Sequence, residues 1–178
     1  MRDCKIFCIG FAKTGTTSLS VALMTLGYNV KGVMGVHDPS ISKIVYKLAD
    51  KIIPLYNAFQ DEPWPVLYKY LDENYGGKFI LTVRNENDWI ESLKRHCGDI
   101  HTPFREWIYG YGNPVGHEDV YLERYRKHNN DVMEYFKGRD DFLKMNITEG
   151  DGYEKLCPFL GHKIINEKFP HENKSKES

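Results

Sequence analysis

The chain has 178 residues, 41% of them apolar and 28% charged, with a formal net charge of −1. That composition belongs to a globular domain with one sizeable core and excludes collagen-like, disordered or strongly basic nucleic-acid-binding proteins. With no global field and no run near the ~18 apolar residues of a membrane span, any anion binding must be local.

The first four residues pass straight into an apolar run with no signal-peptide pattern. The four cysteines, Cys4, Cys8, Cys97 and Cys157, fit neither a disulfide framework nor a zinc spacing. Along a strand, Cys4 and Cys8 would stand about 13 Å apart, too far to bridge. A reducing, cytoplasmic setting is the expectation.

Residues 5–28 (KIFCIGFAKTGTTSLSVALMTLGY) organise the rest. The run Ile6-Phe7-Cys8-Ile9 reads as a buried strand, Gly10 and Gly15 as a turn, and Leu19, Ala22, Leu23 and Leu26 as one face of a helix. A strand, a glycine turn and a helix aim backbone N–H groups and a helix N-terminus at a phosphate. Around that turn stand one cation, Lys13, and the hydroxyls of Thr14, Thr16, Thr17 and Ser18. The nucleoside triphosphatase loop puts its lysine directly after the second glycine; here Thr16 holds that place and the lysine sits two residues before Gly15.

Residues 28–36 read as a weak second strand, and Ser40 as the cap of a helix over residues 41–51. In residues 55–65 (LYNAFQDEPWP) a proline-rich end starts another helix that stops at Gly76-Gly77. Asp61 has two readings there, a helix N-cap or a carboxylate at a strand-to-helix junction beside the cradle. Residues 78–84 (KFILTVR) form the clearest strand, continuously apolar as in a buried parallel sheet. It ends in Arg84, where a triphosphatase would usually place a magnesium-binding aspartate. Ser92 lies about two helical turns further on, within reach of the same site.

Residues 96–118, rich in glycine and aromatic side chains, read as a candidate lid or acceptor-binding loop. A long amphipathic helix over 120–136 carries tyrosines read as core, and residues 142–147 give a fourth strand. A helix over residues 153–160 closes the fold at Gly161, and residues 173–178 form a polar tail expected to be disordered. Alternating strands and helices predict an α/β three-layer fold with a mainly parallel sheet, in one domain over residues 1–172. Both Lys13 and Arg84 follow strand ends, so both are expected to face the crevice beyond those ends.

Taken together these segments resemble the P-loop sulfotransferase family, in its compact bacterial and viral-type branch. Residues 10–18 resemble the loop that holds the 5′-phosphosulfate of 3′-phosphoadenosine 5′-phosphosulfate (PAPS). Arg84 and Ser92, in RNENDWIES, resemble the pair that holds the donor's 3′-phosphate. With that loop, the blocks ADKIIPLYNAFQDEPWPVLYKYL, KFILTVRNENDWIESL and GDGYEKLCPFLG with KFPHEN carry the likeness from about residue 5 to residue 173.

The resemblance implies sulfuryl transfer from PAPS to an acceptor hydroxyl or amine, releasing adenosine 3′,5′-bisphosphate. Lys13 and Asp61 are the implied catalytic residues. Ala12, Lys13, Thr14, Gly15, Thr16, Thr17, Ser18, Arg84 and Ser92 are the implied donor-binding set, with no metal. A histidine base common in cytosolic members does not align, which leaves Asp61 as the expected base and Glu62 or His37 as the alternatives. Competing readings are a small magnesium-dependent nucleotide kinase and a non-catalytic binder of the donor. The acceptor and the oligomeric state are not legible from the sequence.

Overall fold

The computed structural model describes residues 4–171; the expected tail at 173–178 lies outside the described residues. Its sheet is built from β1 (Ile6–Cys8), β2 (Val30–Lys31), β3 (Ala58–Phe59), β4 (Lys78–Thr82) and β5 (Phe142–Met145). The strand order is β2-β3-β1-β4-β5, and every pairing is parallel. Among the described residues seven α-helices accompany it: α1 (Thr16–Thr25), α2 (Ile41–Ile52), α3 (Tyr68–Tyr75), α4 (Glu86–Cys97), α5 (Pro103–Tyr109), α6 (Glu118–Tyr135) and α7 (Tyr153–Leu160).

Period two explains why β1 reads as an unbroken apolar run. Phe7 points to one face, where it stacks on Phe59 and Phe79 at 5.1 and 5.4 Å and joins Val45, Leu71, Val132 and Phe136 from α2, α3, α6 and the residue after it. Ile6 and Cys8 point to the other, against Leu19, Leu23, Leu156 and Cys157 of α1 and α7. Both faces of the sheet are therefore covered by helices, the three-layer arrangement expected from the alternation of elements. A third cluster, Phe11, Trp89, Leu93, Tyr121 and Tyr125, packs α4 and α6 beside the turn that follows β1. The helical tyrosines of α6 are core, as read from the sequence: Tyr121 and Tyr125 are buried.

The chain leaves β1 toward one sheet edge through β2 and β3, then crosses to the other edge through β4 and β5. The reversal opens a crevice beyond the carboxyl ends of β1 and β4, the place where ligands bind in such sheets. Gly10 allows the two strand ends to approach: a Cβ there would lie 2.4 Å from the Thr82 carbonyl oxygen and 2.1 Å from its hydroxyl.

Four local expectations are corrected. The sheet has five strands, not four, because β3 occupies Ala58–Phe59 within a segment too short to show its own alternation; its pairing with β1 and β2 makes it a strand. The second strand shrinks from nine residues to Val30–Lys31. Residues 96–118 are not all loop: Thr102 caps α5, its hydroxyl accepting from the Arg105 N–H at 3.2 Å, with Pro103 in the first turn. At Ser40 the side chain makes no capping bond to α2; its N–H and hydroxyl instead donate to Asp38 Oδ1.

One buried polar contact ties α6 to the end of β1. His128, 1% exposed, donates from Nε2 to the Ile9 carbonyl at 2.7 Å and stacks on Phe11 at 4.2 Å. Burial pushes its imidazole down to about 4, against about 6.5 for an ordinary histidine. The folded state thus binds the proton later than the unfolded chain as pH falls. The stability linked to the neutral ring is complete above about pH 6.5 and is lost as pH falls toward 4, by roughly 3 kcal/mol. Denaturant unfolding at pH 7 and pH 4 measures this: wild type should lose roughly 3 kcal/mol more than His128→Gln between those values. Equal losses would show that His128 carries no such linkage.

Candidate active site

The turn between β1 and α1 holds its shape through its carbonyl groups. The Ile9 carbonyl accepts from His128 and the Phe11 carbonyl from the Thr14 hydroxyl at 2.6 Å. The Ala12 carbonyl accepts from Trp89 Nε1 at 2.8 Å, and the Lys13 carbonyl from Arg84 Nη1 at 3.3 Å. Thr14 Oγ1 also meets Thr82 Oγ1 at 2.6 Å, clasping the turn to the end of β4. Gly15, at φ 95°, takes the left-handed position that starts α1. Lys13 adopts φ 69° without being glycine, a strained conformation of the kind that collects at functional sites.

Beyond this turn lies a cavity of about 750 Å³. Of the residues expected from the sequence, Ala12, Lys13, Gly15, Thr16, Thr17, Ser18, Asp61, Arg84 and Ser92 line it, and Glu62 does too. Thr14 does not line the cavity: its side chain is fully buried and its hydroxyl is spent on Phe11 and Thr82. His37, the remaining alternative base, is exposed and outside the lining.

Asp61 stands two residues past β3 with φ 67°, a second strained non-glycine residue facing the cavity. Its Oδ1 accepts from the Glu62 N–H at 2.9 Å, and Thr16 Oγ1 donates to its Oδ2 at 3.4 Å. No side-chain cap to the following 3-10 turn (Trp64–Leu67) exists, so the N-cap reading of Asp61 is set aside. An acid thus stands at a strand end after β3, on the other side of β1 from β4 and Arg84.

Burial raises the Asp61 carboxyl pKa, opposed by the Glu62 N–H, by Thr16 and by the positive fields of His96 and Lys13. For Glu62, burial and then the neighbouring Asp61 push the carboxyl up to about 7. Lys13 moves the other way: burial lowers its ammonium pKa, with Asp61 opposing. Glu62 is therefore in the range where a carboxylate can take a proton at neutral pH, and burial moves Asp61 in the same direction.

Five further polar residues of the cavity went unmarked in the sequence: His96 and Cys97 at the end of α4, Arg105 of α5, Thr148 and His171. The first two had a signal. His96 follows Ser92 by four residues and Cys97 follows Leu93 by four, so they repeat its helical face. Arg105 had none beyond the Thr102-Pro103 start of its helix.

Arg84 is set by its own main chain as well as by the turn. The Tyr125 hydroxyl accepts from the Arg84 N–H at 2.9 Å and donates to the Arg84 carbonyl at 3.0 Å, while Tyr125 stacks on Trp89 at 4.2 Å. Asn85 then caps α4, accepting from the N–H groups of Asn87 and Asp88. The cation of β4 and the serine of α4 are thus placed on one cavity by a buried aromatic pair and a helix cap.

Comparison with known proteins bears on what this constellation is for. No individually curated protein matched the sequence. The family model described as a sulfotransferase domain matches residues 5–178, nearly the whole chain. On that match, with a parallel α/β sheet and a strand–turn–helix cradle at its centre, the chain belongs to the sulfotransferase family.

Proposed function

We propose that this sulfotransferase takes its sulfuryl group from PAPS and passes it to an acceptor hydroxyl or amine, releasing adenosine 3′,5′-bisphosphate. The observation that carries the reading is the meeting of Lys13, Thr16, Arg84, Ser92 and Asp61 on one cavity at the carboxyl ends of β1 and β4. The carbonyls of residues 9, 11, 12 and 13 are taken by donors within the protein. That arrangement favours N–H groups and hydroxyls as the turn's face toward an anionic ligand.

Thr16, Thr17, Ser18 and the backbone of residues 12–15 hold the 5′-phosphosulfate in this reading. Arg84 and Ser92 hold the 3′-phosphate. Lys13 stabilises the charge that grows on the bridging oxygen as its bond to sulfur breaks. The acceptor oxygen or nitrogen forms the new bond to sulfur and gives its proton to Asp61. We assign the proton to Asp61, not Glu62, because Asp61 is the acid that touches the cradle through Thr16. Burial raises its proton affinity, which suits that task. The arrangement relies on positioning and fixed charge, with the dipole of α1 adding to Lys13.

The nucleotide-kinase reading keeps one supporting feature, the acid after β3, and loses on the displaced lysine and the family match. A binder without turnover would share the donor site and fail only at transfer of label from PAPS.

Arg84→Ala should weaken adenosine 3′,5′-bisphosphate by about 2 kcal/mol, roughly thirtyfold, as a charge-assisted contact is lost. Adenosine 5′-phosphosulfate, which has no 3′-phosphate, should lose much less. Calorimetric titration of both ligands decides, and equal losses would remove Arg84 from the 3′-phosphate.

The two acids are told apart by amide substitution. Asp61→Asn should reduce sulfuryl transfer about 10²-fold or more while bisphosphate affinity stays near wild type. Glu62→Gln should retain most of the rate. Full activity in Asp61→Asn together with a dead Glu62→Gln would transfer the role to Glu62.

A further inference from the structure

Three permanently or largely cationic side chains line the cavity: Lys13, Arg84 and Arg105. None of them forms an ion pair among the described residues. The donor as read above carries two anionic groups, which Lys13 and Arg84 meet. Arg105 is left over.

Its setting is that of a recognition group. Arg105 belongs to α5, an element that carries none of the donor-binding residues. The Phe104 N–H of that helix donates to the Val36 carbonyl at 3.2 Å, which joins α5 to the segment contributing Val33 and Val36 to the cavity. Arg105 Nη1 donates to the Ile100 carbonyl at 2.9 Å, fixing the guanidinium. That leaves Nε and Nη2, the side-on fork that matches two oxygens of a carboxylate, sulfate or phosphate. Nε is shut off from water and has no acceptor. Arg84 Nε is in the same condition; a buried N–H left so is costly, and a ligand oxygen relieves that cost once the guanidinium turns to open Nε to the cavity. Glu62 is the acid whose field Arg105 most directly offsets, yet the two form no ion pair, so Arg105 is not spent as its counter-ion.

We propose that Arg105 recognises the acceptor. The acceptor carries a carboxylate, sulfate or phosphate near the hydroxyl or amine that receives the sulfuryl group, and the Nε–Nη2 fork binds that anion. This rests on the donor reading above, because it takes Lys13 and Arg84 as occupied by the donor.

The test fills the donor positions first. Protein saturated with adenosine 3′,5′-bisphosphate is titrated with inorganic phosphate, followed by thermal shift. Wild type should show a further saturable stabilisation. In Arg105→Gln the phosphate affinity should fall tenfold or more with bisphosphate affinity unchanged, and in Arg105→Lys, which keeps the charge without the fork, at least threefold. Phosphate affinity equal in wild type and Arg105→Gln, or no phosphate binding to the saturated wild type, overturns the proposal. If Arg105→Gln does not fold, Arg105→Lys decides alone, equal affinity again overturning it. Wild type that fails to bind adenosine 3′,5′-bisphosphate overturns the donor reading, and this proposal with it. A wild type that binds it while Arg105 proves silent overturns only the assignment of Arg105.

Discussion

The close approach of β1 and β4 at Gly10 and Thr82 is the constraint on which the rest of the site depends. With no side chain at Gly10, the Thr82 backbone can lie where a Cβ would otherwise sit. Thr14 then reaches across and shares a hydroxyl–hydroxyl bond with Thr82. Once the turn is seated, neighbouring elements draw its carbonyls outward: His128 from α6, Trp89 from α4, Arg84 from the end of β4. A buried carbonyl must find a donor, so each of these bonds fixes the turn as well as relieving a cost. The same side chains are held by the packing of α4 and α5 on α6, through Trp89 on Tyr125 and Tyr109 on Tyr121. The cradle is thus an extension of the core, and its shape is set by residues that would never touch a ligand.

That division explains what was legible in the sequence. The turn and its helix could be read because glycines and hydroxyls at fixed spacing are local signals, and β1 and β4 because burial on both faces leaves long apolar runs. β3 was legible only as a strand end before Asp61, without bounds of its own. Ala58 and Phe59 become a strand only because β1 and β2 flank them, and two residues carry no period of their own. Thr14 shows the complementary limit. Its place in the motif suggested a ligand contact, but hydroxyl identity alone does not say whether a side chain faces the cavity or the protein. Arg105 reached the cavity through the docking of α5 on Val36, a long-range contact with no sequence spacing to announce it.

Charge in the cavity is balanced by placement, since none of its cations is ion-paired among the described residues. Burial lowers the Lys13 pKa and raises that of Asp61; each opposes that shift in the other. Such mutual support favours the charged form of both groups without joining them in a tight pair. A tight pair would have to be broken before either could act on a ligand.

Backbone strain points the same way. Lys13 and Asp61 are the two non-glycine residues with positive φ among those described, and both line the cavity. Each such conformation costs about 1–3 kcal/mol and persists only where surrounding contacts over-determine it. Here they do: Arg84 holds the Lys13 carbonyl, while the Trp64 N–H holds the Asp61 carbonyl and the Glu62 N–H holds its side chain. Glycine at either position would adopt the same backbone at lower cost. It would also remove the ammonium or the carboxylate. A chain that keeps a strained lysine and a strained aspartate where glycine would be easier is retaining their side chains at the expense of stability, the pattern expected where function and not folding sets the residue.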